Sequence, residues 1–305
     1  MGKIMRNGIE YGAGSSSIYS QAGTATRAIC DEEWNRIDET YYLKSDLQEK
    51  AAGAGSFTQT EAETMKNANF HNSFYRGNDI TSKFNDGSLY TAISEGTFED
   101  LFIGDYFIAT INGNEITCRI AGFNIYWNSY GTFKTNHAVI VPDERLMSAA
   151  MEDSNTTANG YKGSKMHVTN MATINGYLSS VFGSHLLTHK EYFSSALNAT
   201  AKPMGYTGWA GAASSWAADD SIADLMSEVE VYGTCVLSSS GFDPVNGRSQ
   251  LPLFALAPEL ICTRFAWWLR SVVNSTHFAC VGASGSAHYS VAGDSYGVRP
   301  RWLIG

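Results

Sequence analysis

The chain has 305 residues and a formal net charge of −9, with 21 Lys and Arg against 30 Asp and Glu. A chain of this length forms one large domain or two ordinary ones, with a core that needs no crosslinks. The basic residues are dispersed, which excludes a nucleic-acid footprint, and no window nears the roughly eighteen apolar residues of a membrane span.

The opening, MGKIMRNGIEYGAG, carries a little positive charge but no apolar h-region, so no signal peptide is expected. Residues 1–66 read as an arm for attachment or oligomerisation, with a flexible tail as the alternative. Gly12 to Gly23 is expected to be extended, Asp31-Glu32-Glu33-Trp34 opens a helix with Ile37, Tyr41 and Leu47 on one face, and Ala51 to Ser56 is a linker.

Residues 67–305 have the texture of a packed α+β domain. Gly87 to Gly104 carries helical and turn spacing, and Asp105 to Ile111 alternates like a strand. Asn112-Gly113 then signals a hairpin whose returning strand is Glu115 to Ile120. Further strands are expected at Gly122 to Trp127 and at His137 to Val141, with Pro142 as terminator.

Met171, Ile174, Leu178, Val181 and Phe182 form the apolar face of a helix that should pack on a sheet. Ser184 to Asn198 reads as a second helix, Gly205 to Asp220 as a small-residue loop carrying Trp209 and Trp216, and Leu225 to Val236 as strand-like through Val229, Val231 and Tyr232. Ser238 to Gln250 is a polar excursion, and Leu251 to Leu260 closes the segment.

Catalytic patterns are missing from this chain. His185 and His189 would share a helix face, but no third ligand lies near, so a solvated or core pair is the simpler account. Asp219-Asp220 reads as an N-cap with Asp224 in the following first turn. The cysteines, Cys30, Cys118, Cys235, Cys262 and Cys280, are odd in number and scattered. They form neither a disulfide framework nor a zinc site, and a reducing site of synthesis fits them. No metal, cofactor or enzymatic activity is expected.

The C-terminal run from Trp267 to Gly305 changes character between Ser271 and Tyr296. Lys, Glu, Gln, Met and Trp supply 46 of the 305 residues yet none of these 26, where about four would fall by chance. Surface loops rich in Gly and Ser would disfavour long charged side chains. The genetic code supplies a sharper cause. Asn codons altered at their two adenines yield products that include Asn, Ser, Thr, Asp, Gly, Ala, Val, His, Tyr, Cys and Phe but never Lys, Glu, Gln, Met or Trp, and every residue in this window is reachable.

The frame of this run, Trp268-Leu269-Arg270-Ser271 followed by Gly297-Val298-Arg299-Pro300, resembles the C-terminal variable region of phage and bacterial proteins diversified by retroelements. The best-known type of these is the major tropism determinant family. Upstream, Phe74-Tyr75-Arg76-Gly77, Ile103-Gly104-Asp105-Tyr106, Gly160-Tyr161-Lys162-Gly163-Ser164 and Leu187-Thr188-His189-Lys190-Glu191 are similar to segments of phage tail-associated proteins.

The resemblance implies a C-type lectin-like fold of the formylglycine-generating-enzyme-like subgroup, with short twisted antiparallel strands, two flanking helices and long loops. It implies a variable region over about residues 267–302, in which an error-prone reverse transcriptase rewrites adenine-rich codons. Carried onto this chain, Trp268, Arg270, Phe278, Arg299 and Trp302 are scaffold, with Leu269, Gly297, Val298 and Pro300 beside them. Ser271, Asn274, His277, Cys280, Gly282, Ser284, Ser286, His288, Tyr289, Gly293, Asp294 and Tyr296 are the candidate binding face.

Flanked by apolar residues, Arg270 and Arg299 are expected to tie loops to the core through carbonyls or carboxylates, with open exposure as the alternative. The implied partners are a host-surface protein or glycan, other virion tail proteins and further copies of the chain, such as a trimer. The implied location is the phage tail after synthesis in a bacterial cytoplasm, or a bacterial cellular or surface protein diversified by the same machinery. The competing classes are an undiversified structural virion component and an enzyme on the formylglycine-generating scaffold.

Overall fold

The computed structural model describes residues 4–6, 9–11, 59–198, 212–238 and 249–305. The chain divides after Glu63 into two units. In the first, the described strands β1 (Ile4–Arg6) and β2 (Ile9–Tyr11) pair antiparallel. The expected extended stretch at Gly12 to Gly23, the helix from Asp31 and the linker at Ala51 to Ser56 lie outside the described residues. The boundary expected at residue 66 falls within helix α1 (Gln59–His71).

The second unit is α+β, made mostly of curled antiparallel sheet. Helices α2 (Thr81–Asp86) and α3 (Ser88–Ser94) precede β3 (Tyr106–Ile111) and β4 (Asn114–Phe123). These two strands pair as the hairpin expected at Asn112-Gly113, whose φ values of 48° and 75° give the left-handed turn that matches strand twist. The following strands are β5 (Ala138–Pro142) and β6 (Met147–Ala150), so Pro142 is the last residue of a strand rather than a stop before it.

A π-helical turn, Met166–Met171, leads into α4 (Ala172–Phe182). Ile174, Leu178 and Phe182 of α4 are buried, and Phe182 meets Phe107 of β3 at 6.2 Å and Trp302 at 5.7 Å, so the helix packs on the sheet as its periodicity requires.

Beyond α4 come β7 (Leu186–Leu187), β8 (His189–Asn198), β9 (Ala212–Ser221), β10 (Ala223–Leu225), α5 (Glu228–Tyr232) and α6 (Pro252–Leu256). The chain ends with β11 (Trp267–Val272), β12 (His277–Val281), β13 (Ala287–Val291), β14 (Ser295–Val298) and β15 (Pro300–Ile304). A six-stranded sheet runs β10-β15-β5-β4-β3 with β7 also on β15, a five-stranded sheet runs β13-β12-β11-β14-β6, and β8 with β9 forms a separate ribbon. Among the described residues no helix is long and apolar enough to cross a membrane.

Several expectations are corrected. Ser184 to Asn198 is mainly strand, not helix. Burial alternates along it, with Glu191 and Phe193 inside and Lys190 outside, and that period of two overrides the helix preference of Leu, Lys and Glu. One of the two expected flanking helices is therefore a ribbon, and His185 and His189 lie on different elements. The strand expected at Gly122 to Trp127 stops at Phe123, because Asn124 turns the chain at φ 54°.

Val229, Val231 and Tyr232 sit in α5 and not in a strand. Ser227 and Glu230 form a capping box there, each side chain bonding the other's backbone N–H. Asp219 and Asp220 lie within β9 and Asp224 within β10, so none of them caps a helix. The expected loop at Gly205 to Asp220 is strand from Ala212 onward, and most of the polar excursion after Ser238 lies outside the described residues.

Candidate functional site

The run from Trp267 to Ile304 joins the two large sheets. Strands β11 to β14 build most of the five-stranded sheet, Arg299 is the crossing residue, and β15 enters the six-stranded sheet between β5 and β10. Trp268, Phe278 and Trp302 are fully buried, and Arg270 and Arg299 are nearly so.

Both arginines make the bonds expected of them. Arg299 donates from Nε to the Pro142 carbonyl (2.7 Å) and from a terminal nitrogen to the Leu260 carbonyl (3.3 Å), with its guanidinium 5.0 Å from the Trp267 ring. Burial lowers its pKa to about 10. Arg270 meets Glu191 at 2.5 Å and Glu230 at 3.2 Å.

The candidate face divides by exposure. Ser284, Ser286, His288, Gly293 and Asp294 are exposed, and Ser271, His277, Gly282, Tyr289 and Tyr296 are half-buried. Asn274 and Cys280 are buried, which corrects their assignment to a binding surface. The Asn274 side chain instead closes the turn into β12, where its Oδ1 accepts from the backbone N–H groups of Thr276 (2.9 Å) and His277 (3.0 Å). Cys280 sits opposite Trp268 in the sheet, and burial pushes its thiol pKa up to about 12. Ser271 is also partly committed, accepting from the Glu228 N–H at 3.1 Å.

Cys280 pairs with His288 and Ala279 with Tyr289, and at this edge strand the His288 and Tyr289 rings lie side by side, 5.4 Å apart with 18° between their planes. Tyr289 meets His277 at 5.4 Å, while Tyr296 lies edge-on to Trp268 at 5.0 Å. Burial lowers the pKa of His277, which favours its neutral form. β13 is the outer strand of its sheet, with the Gly282–Ser286 turn at one end and Gly293-Asp294 at the other. The exposed candidates thus form a strip along this edge, about 17 Å long over the strand itself.

Glycine geometry separates positions that tolerate change from one that does not. A Cβ on Gly282 would meet the Ser286 hydroxyl at 2.8 Å, and one on Gly293 the Asn155 side-chain oxygen at 2.8 Å, both ends that can rotate away. Gly285, between them, has φ +86° and would press on the Cys262 backbone at 3.3 Å. Gly282→Ala and Gly293→Ala are expected to leave stability within about 0.5 kcal/mol of the parent, and Gly285→Ala to cost about 1–2 kcal/mol. Urea denaturation of the three variants checks this, and equal losses at all three would reject the distinction.

Beneath the frame lies a polar cluster that sequence reading missed. Arg270, Glu191, Arg301 and Glu230 form a closed ring of alternating charge, all buried. Arg301 also donates from Nε to the Tyr126 hydroxyl at 2.7 Å and from a terminal nitrogen to the Ser221 hydroxyl at 3.3 Å. Burial alone would raise the pKa of Glu191, but Arg270 and Arg301 outweigh it and hold the carboxyl well below the usual range. The sequence signals for it were Arg270 among apolar residues and the Ser227-to-Glu230 capping spacing. Nothing in the spacing of Glu191 or Arg301 marks them as partners.

Next to the ring, His167 bonds Asp224 through Nδ1 at 2.9 Å and lies 3.6 Å from Asp219 through Nε2. Lys162, Tyr161 and Phe193 pack around this pair. Burial would lower the pKa of His167, but the two carboxylates overcome it and the net direction is upward. A raised native pKa means that the imidazolium stabilises the fold fully below the ordinary value of 6.5, a contribution lost as pH rises through the native value. The stability gap between the parent and His167→Gln, read from melting curves, should therefore be widest below pH 6.5 and narrow as pH rises above it. A gap that widens with pH would contradict this.

No family model, curated protein or solved structure matches this chain.

Proposed function

We propose that this protein is a ligand-binding variable protein with a C-type lectin-like fold, diversified by a retroelement. In this reading it is a phage tail adhesin that recognises a host-surface protein or glycan. The carrying observation is the division within one continuous run. Trp268, Arg270, Phe278, Arg299 and Trp302 are buried, whereas Ser284, Ser286, His288, Gly293 and Asp294 line one exposed sheet edge. All of these exposed residues are types reachable from an adenine-mutated Asn codon.

A diversified surface needs a frame whose stability does not depend on the changing side chains. Here the frame is packed around buried tryptophans, while the exposed strip contributes little to the core. His288, Tyr289 and Tyr296 supply flat, hydrogen-bonding contact area at low entropic cost, and the small Ser and Gly residues leave room around them.

Sequencing the locus in related isolates tests the proposal. The expected result is substitution concentrated at the exposed and half-buried candidates, with Asn274 and Cys280 held constant by their buried roles. Variation scattered evenly over the domain would leave the undiversified structural component ahead. A homo-oligomer, such as a trimer, multiplies a weak site through avidity. Light scattering that reads a monomer at micromolar concentration would reject that part.

A further inference from the structure

The β8–β9 ribbon carries a second surface that neither the core nor the C-terminal strip uses. Its register sets Lys190 opposite Asp220, Tyr192 opposite Ala218 and Ser194 opposite Trp216. Alternation puts Lys190, Tyr192, Ala218, Asp220 and Trp216 on one face, while Glu191 and Phe193 turn into the core. Lys190 and Asp220 form a 2.9 Å ion pair that stays exposed. Tyr192, Trp216 and Ala218 are half-buried.

A third aromatic side chain comes from the turn after β4. Tyr130 is 43 % exposed, and its ring lies 5.3 Å from that of Tyr192 with 34° between the planes. Its φ of 53° is left-handed, a conformation that a bulky side chain adopts only under strain. The turn is held in place: Ser129 Oγ donates to the Lys190 carbonyl at 3.1 Å, and the Gly131 N–H donates to Asn128 at 2.9 Å. The strain is borne by a residue whose ring adds little to the core. Outliers of this kind cluster at binding sites.

We propose that Tyr130, Tyr192 and Trp216, with Lys190 and Asp220, form a glycan-binding site separate from the C-terminal strip. A neutral sugar presents C–H faces that stack on aromatic rings and hydroxyls that both donate and accept. The aromatic row supplies the first kind of contact, and the ion pair supplies an acceptor and a donor with no net charge. Tyr192 and Trp216 are diagonal neighbours across the ribbon, about 7–8 Å apart. The site stands whether or not the C-terminal strip is diversified, so the two proposals fail separately.

The test titrates the full-length protein with neutral hexasaccharides of glucose and of N-acetylglucosamine, following tryptophan fluorescence and binding heat, after a wider screen on a printed array of neutral and acidic oligosaccharides. Saturable binding of at least one neutral oligosaccharide is expected. Trp216→Ala and Tyr130→Gly should each weaken it by about ten-fold or more, as truncating an aromatic anchor does. Glycine adopts the φ of residue 130 without steric cost, so Tyr130→Gly removes the ring and keeps the turn. No neutral oligosaccharide bound by the parent, or binding retained in the Tyr130→Gly/Trp216→Ala double variant, would overturn the proposal.

Discussion

Replacing Arg301 by Met is expected to destabilise the domain by about 3–5 kcal/mol, measured by equilibrium denaturation. Arg301 is fully buried and reaches Glu191, Glu230, Tyr126 and Ser221 at once. Without it, two buried carboxylates share the single guanidinium of Arg270. The loss would measure an orphaned charge and not the net worth of the ring, because a buried ion cluster replaced whole by apolar residues is often neutral. A Glu230→Gln companion separates the two meanings. Once the ring is broken, removing Glu230 as well should cost less than it does in the parent. A loss below about 1 kcal/mol for Arg301→Met would show that the ring does not hold the sheets together.

Trp268→Ala should cost about 3–5 kcal/mol, since it empties a fully buried site and leaves the ring of Tyr296 without its edge-on neighbour. The indole Nε1 also donates to the Ala149 carbonyl at 2.9 Å, which ties β11 to β6 across β14. Trp268→Phe keeps most of the volume and drops only that bond, so its cost should be nearer 1 kcal/mol. Equal losses in the two variants would place the energy in the hydrogen bond and contradict the packing account. The pair also tests the frame, because a scaffold tryptophan should matter far more than any exposed residue of the strip.

Elements with short-range signals were legible in the sequence. Asn112-Gly113 marked a hairpin through the left-handed preference of its two residues, and the apolar spacing from Ile174 to Phe182 marked α4. The burial of Trp268, Phe278 and Trp302 and the bonding of Arg270 and Arg299 were equally visible, because an arginine set among apolar residues must find partners. The ribbon at His189 to Asn198 was not. Its composition favours helix, and the period of two comes from pairing with β9, which turns Glu191 and Phe193 inward. Asn274 and Cys280 show the same limit, as small polar types suit an exposed loop and a buried turn alike.

The sequence by itself determined the boundaries of the unusual run, the residue types it admits and the bulky ends that hold it, because composition and genetic-code reach are properties of a linear string. The tertiary structure decided which of those positions meet solvent. It put Cys280 opposite Trp268, set the rings of His288 and Tyr289 side by side on an edge strand, and gathered Arg270, Arg301, Glu191 and Glu230 from four distant segments into one ring. Burial and charge pairing are long-range and depend on sheet register, and a one-residue shift in register would turn every side chain of a strand to the other face.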